Sequence, residues 1–490
     1  MGATIIDGRR SYVGGTWVEG ERGFAVENPA DGSILCEATE TPIAQVEQAI
    51  ASARHAFDQG PWSALAARAR AAAVTALLDH IETRKEPLIA TMMAEAGQLR
   101  LYAEFAQFVM GMQLARSTVD LYLSMAHEDF NPVPVDDLVK GRVTLSVRRH
   151  EPIGVVTAIT PFNGAIIMAL QKLVPALLAG NAVVLRPSPL APLSSLVFGE
   201  AAEAAGLPPG VLSVVIEGGS AGAELLTTHP GVDMVSFTGS TAVGRRIAAQ
   251  AAATTKRVAL ELGGKSAQIY LPDAIDKVGA GATQVVAVTS GQACVAATRM
   301  LVPLDRKEEA LERVAGALEQ LKVGPPDDPT VLVGPLIDAA ARDRCARYVG
   351  LAEKAGAKVV TGGHAPPDLD RGYYFEPTAL DLPDNLNPAA RDEIFGPVLG
   401  VIGYDDIDHA VALANDTDYG LAAQVYGADV AAATAVARRL RAGTVNVNTS
   451  LFSAFAPGGG YKQSGLGRER GPEGIRSFQE VKHMAIGELR

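Results

Sequence analysis

IGVVTAITPFNGAIIMALQKLVPALLAGNAVVLRPSP, Ile153 to Pro189, is the stretch on which the architecture turns. It opens on an apolar run of strand length, IGVVTAI, with no polar alternation, which marks a strand covered on both faces. TPFNG then breaks the run, and helical spacing predicts a helix over 165–178. AVVLRP repeats the first pattern. Two doubly buried strands joined by a helix make a parallel βαβ unit. The stretch is too interrupted to cross a bilayer: Pro161, Asn163, Gln171 and Lys172 fall inside it, whereas a membrane helix needs about 18 nearly uncharged residues.

The alternation continues C-terminally: helix 194–205, strand LSVVI, helix 220–228, strand VDMVSF, helix 241–251, strand RVALEL. A second α/β series starts at Ser266, with strands near Val398–Ile402, Ala422–Tyr426 and Thr444–Val447. On the N-terminal side the first 130 residues read as mostly helical. Thr41 is the expected N-cap and Pro42 the first helical residue, ahead of Ile43, Val46, Ile50, Ala53 and Phe57, and further helices run to about Met125. FNPVPVDDLV ends that region, and the alternation from Arg142 to Arg149 predicts a protruding ribbon. The tail SFQEVKHMAIGELR alternates too and predicts an edge strand.

Composition narrows the function. The chain has 490 residues, 48% apolar and 20% charged, which suits a soluble globular protein of roughly three folding units. Its 50 glycines follow no collagen-like period. A net charge of -12 repels nucleic acid and anionic membrane surfaces over most of the molecule. Cys36, Cys294 and Cys345 stand far apart with no CxxC pair, so neither a disulfide framework nor a thiolate zinc site is read from them. The start MGATIIDGRR carries no apolar signal run. The expectation is a reducing, cytoplasmic location with no membrane or nucleic-acid partner.

The familiar nucleotide motifs are missing. No GxGxxG occurs, and GGKS at 263–266 is no P-loop because the first glycine would have to stand at Ala259. FTGSTAVG, Phe237 to Gly244, is a better phosphate candidate: a strand end, a glycine, and Ser240 to cap the next helix, whose N-terminus presents free N–H groups. Any βα turn wants the same residues. Three further residues are ambiguous locally. Cys294 in GQACVAATR has small neighbours that leave room for a ligand, although a lone cysteine is usually a small core residue. Glu261 ends an apolar strand, a costly place for a carboxylate and a useful one for a general base. Asn163 in TPFNG is either a turn former or a side-chain donor.

Taken in order, EPIGVVTAITPFN, LLAGNAVVLRPSP, VDMVSFTGST, LELGGKS, GQAC, EIFGPV and GGGYKQSGLGRERG resemble the aldehyde dehydrogenase superfamily over essentially the whole chain. The resemblance implies two Rossmann-like α/β domains plus a small β oligomerisation ribbon. The cofactor-binding domain would take 1–127 and 148–261, the catalytic domain 262–476, and the ribbon and tail strand 128–147 and 477–490. It implies oxidation of an aldehyde to the carboxylic acid with NAD, NADP being possible, by a homo-oligomer, dimer or tetramer. Cys294 would be the nucleophile, Asn163 the oxyanion donor with the Cys294 N–H, and Glu261 the base for hydrolysis of the thioester. Cofactor contacts would come from Ile159, Thr160, Pro161, Phe162, Lys172, Arg186, Ser188, Pro189, Phe237, Gly239, Ser240, Leu262, Gly263, Glu393 and Phe395. The substrate pocket would be lined by Gly164, Met168, Gln171, Val288, Ala293, Val295, Phe452 and Gly458.

The resemblance also carries departures. Arg186 replaces the more usual lysine and Pro189 a glutamate that often accepts from the adenosine ribose, which together predict weak discrimination between NAD and NADP. Gly164, Gln171, Val288 and Gly458 stand where many members carry aromatic residues, which predicts a tunnel open to bulky aldehydes. Two rivals carry opposite signatures. A CoA-acylating semialdehyde dehydrogenase typically lacks the glutamate present here as Glu261, and a non-catalytic protein of this fold would have lost at least one of Cys294, Asn163 and Glu261.

Overall fold

A computed structural model of the chain describes residues 6–131, 145–287, 289–450 and 452–486. Val288 and the Arg142 end of the expected ribbon lie outside the described residues.

The chain builds two large sheets. In the first, five parallel strands run in the order Arg257–Glu261, Met234–Thr238, Val155–Ile159, Ala182–Arg186, Leu212–Val214. Val155–Ile159, earliest of the five in the chain, is central, so the order reverses between it and Met234–Thr238. A crevice opens at the carboxyl ends of the strands at such a reversal, and that is where α/β sheets bind ligands. Antiparallel Gly465–Leu466 closes one edge, and Arg10–Val13 with Thr16–Glu19 extends the other to eight strands. The second sheet has seven strands, ordered Lys358–Thr361, Thr378–Asp381, Val398–Tyr404, Arg299–Pro303, Ala267–Tyr270, Ala422–Tyr426, Thr444–Val447, all parallel except the first pair. Burial explains the parallel cores: every residue of Val155–Ile159, Ala182–Arg186 and Met234–Thr238 is buried, as continuous apolar runs require.

The predicted helices fall close to place. Helix 165–178 is Ile167–Ala179, stopped by Gly180 in the left-handed region at φ 100°, and 241–251 is Thr241–Ala252. The N-terminal region departs from expectation. Four strands, Arg10–Val13, Thr16–Glu19, Gly23–Asn28 and Ser33–Thr39, precede the first helix, Ile43–Asp58. They are short and pair as two hairpins, Arg10–Val13 with Thr16–Glu19 and Gly23–Asn28 with Ser33–Thr39, the first joining the large sheet through Tyr12 opposite Val214, and strands this short carry little trace in local pattern. Thr41 does not cap that helix. Pro42 is the N-cap, and the Thr41 hydroxyl instead donates to the Ile216 carbonyl at 2.9 Å and accepts from the Ile216 N–H at 3.0 Å. Tertiary pairing outbids the local cap.

A third sheet has three strands. The tail strand Gln479–Ile486 pairs antiparallel with Leu145–Pro152, which pairs with Glu128–Phe130 on its other side. Arg257 reaches across to form an ion pair with Glu480.

Candidate active site

The segments that follow the two strands of the reversal line the crevice. Thr160 comes directly after Val155–Ile159 and Thr238 ends its neighbour; both hydroxyls are buried and without a partner, an uncommon state for buried polar groups. Ser240 caps the helix Thr241–Ala252, its Oγ accepting from the Val243 N–H at 3.4 Å. Gly239 donates to the Glu261 carbonyl at 3.0 Å, and a Cβ on it would come within 2.4 Å of the Phe237 ring. Across the crevice Glu393 Oε1 accepts from the Gly264 N–H at 3.0 Å, and a Cβ on Gly263 would lie 2.3 Å from its other oxygen. Leu262 fills the space above Gly244. Phe395, at φ 59°, sets its ring edge-on to Phe162 with centroids 6.0 Å apart. Unpaired hydroxyls, a capped helix N-terminus and side-chain-free approaches suit a dinucleotide with a diphosphate.

Ser188 is buried and its Oγ accepts from the Leu190 N–H at 3.3 Å; Pro189 is half-buried beside it. Arg186 is committed: Nε donates to Glu217 Oε1 at 2.8 Å and Nη2 to the Gly219 carbonyl at 2.7 Å. Lys172 has its ammonium engaged within the protein. It is fully buried on the helix Ile167–Ala179, where its ammonium donates to Ser236 Oγ at 3.2 Å and to the carboxylate of Glu469.

Cys294 sits, half-buried, in the loop between the turn Thr289–Gly291 and the strand Arg299–Pro303. The Asn163 side-chain amide donates to the Gln292 carbonyl at 2.7 Å, two residues from the sulfur. Asn163 is held from behind, its own carbonyl accepting from Gln107 Nε2 at 2.7 Å. Gln107, fully buried, belongs to a π-helical segment, Tyr102–Val109, a form frequent at functional sites. Gly264 lets the cysteine loop come close, since a Cβ there would be 2.5 Å from the Cys294 carbonyl oxygen.

Glu261 ends its strand with its carboxylate against Gly459, where a Cβ would be 2.6 Å away. Burial, then the negative charge of Glu469, push its carboxyl up to about 8, against the pull of Lys172, Arg468 and Arg470. Burial, then Glu393 and Glu261, push the Cys294 thiol up to about 12. Burial and the two neighbouring carboxyls thus both favour the protonated thiol.

The pocket glycines do not leave open space. A Cβ on Gly164 would meet Met168 Cγ at 2.5 Å, and one on Gly458 would meet Arg470 Nη2 at 2.2 Å. Arg470 also stacks on Phe452, 4.9 Å from the ring centroid. Met168 packs with Met110 against Leu114, Ile167 and Ala454. Gln171 Nε2 is buried without a partner, Ala293 is half-buried, and Val295 is exposed. Met168 and Arg470 thus stand against the two glycines at which the sequence predicts a widened tunnel.

Sequence reasoning missed Gln107, Gln292, Glu217, Glu469 and Arg470. Their common signal is a polar residue inside an apolar or glycine-rich motif, and it becomes specific only once the partner is seen.

The sequence model of the aldehyde dehydrogenase family matches residues 17–484. The chain is 38% identical to the geranial dehydrogenase of Castellaniella defragrans, over 98% of this chain and 99% of that one. Among solved structures it is similar to a mutant of aldehyde dehydrogenase C from Pseudomonas syringae complexed with NAD+ and octanal (TM-score 0.92, 36% identity, 98% of this chain and 97% of that one). It is also similar to the betaine aldehyde dehydrogenase of Staphylococcus aureus in complex with NAD+ (TM-score 0.93, 32% identity, 97% and 94% covered).

Proposed function

The chain belongs to the aldehyde dehydrogenase family, and from that premise we propose that it oxidises aldehydes to carboxylic acids with Cys294 as nucleophile, Asn163 as oxyanion donor and Glu261 as the base for hydrolysis. The observation that carries the assignment is the bond from the Asn163 amide to the Gln292 carbonyl, which brings the one sequence-ambiguous donor to the loop of the one half-buried cysteine in a matched motif.

Cys294 sulfur, on losing its proton, forms a C–S bond to the aldehyde carbon. The carbonyl oxygen takes the negative charge and accepts from the second N–H of the Asn163 amide and from the Cys294 main-chain N–H. NAD+, when bound, supplies the hydride acceptor that turns this adduct into a thioester. Glu261 then takes a proton from water; the hydroxyl adds to the thioester carbon, the C–S bond breaks, the acid leaves and sulfur recovers a proton. Lys172 and Glu469, paired beneath Glu261, balance charge as the base titrates.

Thr160, Pro161, Phe162, Gly239 and Ser240 would hold the diphosphate side of the cofactor, Arg186 and Ser188 the adenosine ribose side, and Glu393 with Phe395 the nicotinamide ribose and ring. The wall of Met110, Leu114, Ile167, Met168 and Ala454 favours an apolar aldehyde, in keeping with relatives named for geranial and crystallised with octanal. Among the described residues no helix is long and apolar enough to cross a membrane; we place the enzyme in the cytoplasm. Assembly into dimers or tetramers would use the exposed outer edge of the tail strand, where Val481 and Ile486 are 60% and 49% exposed.

The test is to follow reduced-nicotinamide absorbance and carboxylic acid release over short, long-chain, terpenoid and aromatic aldehydes. One acid per reduced cofactor is expected, with no dependence on CoA and none of either product from Cys294→Ala. Full activity in that variant would overturn the assignment.

A further inference from the structure

Resting on the reading of the crevice as an NAD site, we propose that Glu217 is the residue that makes this chain reject a 2′-phosphorylated dinucleotide. Pro189 offers no carboxylate to the adenosine ribose, and Arg186 taken alone would welcome a phosphate. The structure reverses that expectation by giving Arg186 an internal partner.

In a Rossmann-like sheet the adenosine ribose is read beyond the carboxyl end of the second parallel strand. Here that strand is Ala182–Arg186, and Arg186 is its last residue. Glu217 follows the next strand, Leu212–Val214, and is 7% exposed. Its Oε1 accepts from Arg186 Nε at 2.8 Å and from the Ala223 N–H at 2.9 Å, and its Oε2 accepts from the Gly222 N–H at 2.7 Å. Gly222 and Ala223 lie in the first turn of the helix Ala221–Thr228. The carboxylate thus already occupies both cationic features of this corner, the guanidinium and the positive end of the helix, which a 2′-phosphate would otherwise use.

The remaining capacity fits the unphosphorylated ribose. A carboxylate offers about four acceptor sites, and three donors are present, so one hydroxyl can still be received. A phosphate dianion would have to enter beside a buried carboxylate with few unpaired donors left to compensate, a strongly unfavourable placement in a poorly solvated corner. Glu40 Oε1 also accepts from this loop, from the Gly218 N–H at 3.1 Å, but its charge is balanced by Arg22 at 2.8 Å, so the discrimination rests on Glu217. Local pattern hid this role, since Glu217 in VVIEGGS reads as an ordinary loop acid.

The test is calorimetric and needs no turnover. ADP-ribose and its 2′-phosphorylated form are titrated into the wild-type enzyme, Glu217→Gln and Arg186→Met, with thermal unfolding recorded for each. The wild type is expected to bind ADP-ribose at least about tenfold more tightly, and Glu217→Gln to narrow that ratio by about tenfold, through tighter binding of the phosphorylated ligand. An unchanged ratio in a folded Glu217→Gln, or equal binding of the two ligands by the wild type, overturns the proposal. Should Glu217→Gln fail to fold, Arg186→Met decides: a guanidinium already sequestered predicts no selective loss of the phosphorylated ligand, and a selective loss of about tenfold overturns the proposal. If neither ligand binds the wild type, the NAD reading itself falls, a failure distinct from the others.

Discussion

The side-chain amide of Asn163 and the main-chain carbonyl of Gln292 lie 2.7 Å apart, donor to acceptor, across 129 residues of sequence. The bond ties the loop after the central strand of one sheet to the loop that precedes the second strand of the other. In the proposed mechanism the second N–H of the amide is left for the oxyanion. Asn163→Ala removes both, and the hydride-transfer step is expected to slow by about 10² to 10³. Single-turnover absorbance at the reduced-nicotinamide band measures this; an unchanged first step would remove Asn163 from the oxyanion hole.

The acidity of Glu261 sets a pH dependence. A base must be unprotonated to work, and burial together with Glu469 pushes this carboxyl up to about 8. Where hydrolysis limits turnover, kcat is therefore expected to climb as pH rises from about 6 to about 9. Glu261→Gln should lose that rising limb together with most of the turnover. A limb that survives in the variant would assign it to another group.

Met168 and Arg470, which stand against Gly164 and Gly458, are expected to bound the substrate pocket. Met168→Ala should raise kcat/KM for aromatic over two-carbon aldehydes by about tenfold, each buried methylene contributing about 0.8 kcal/mol. Gly458→Ala should instead lower activity on every aldehyde, because its Cβ displaces Arg470 toward Phe452. Equal ratios in wild type and Met168→Ala would show that this methionine does not bound the pocket.

The open edge of the tail strand carries the assembly prediction. Val481→Glu places a charge on an exposed apolar edge position without touching the in-chain pairing to Leu145–Pro152. Light scattering should report a dimer or tetramer for the wild type and smaller species for the variant. An unchanged mass would locate the interface elsewhere.

The parallel cores were legible because burial on both faces forces continuous apolar runs, and Val155–Ile159 or Ala182–Arg186 can hardly be written otherwise. Arg10–Val13 and Thr16–Glu19 were not: they form a hairpin of four-residue strands, too short for a clear alternation, which joins the sheet through Tyr12 opposite Val214. Cys294, Asn163 and Glu261 could be singled out as unusual, but no local pattern joined them; the family resemblance did. What remained hidden were pairs: Lys172 with Glu469, Arg186 with Glu217, Gly458 with Arg470. Each joins residues far apart in the sequence or unremarkable in their own motif, so local pattern reads one without the other.

The central claim is that Cys294 carries the acyl group and Glu261 releases it. Intact-mass and peptide mass spectrometry of Glu261→Gln, quenched after mixing with NAD+ and a reactive aldehyde, tests this most directly. The account predicts a burst of about one reduced cofactor per active site and an acyl adduct, of the aldehyde mass less two hydrogens with the thiol proton replaced, on the peptide containing Cys294. No burst and no adduct, or an adduct on Cys36 or Cys345, would contradict it.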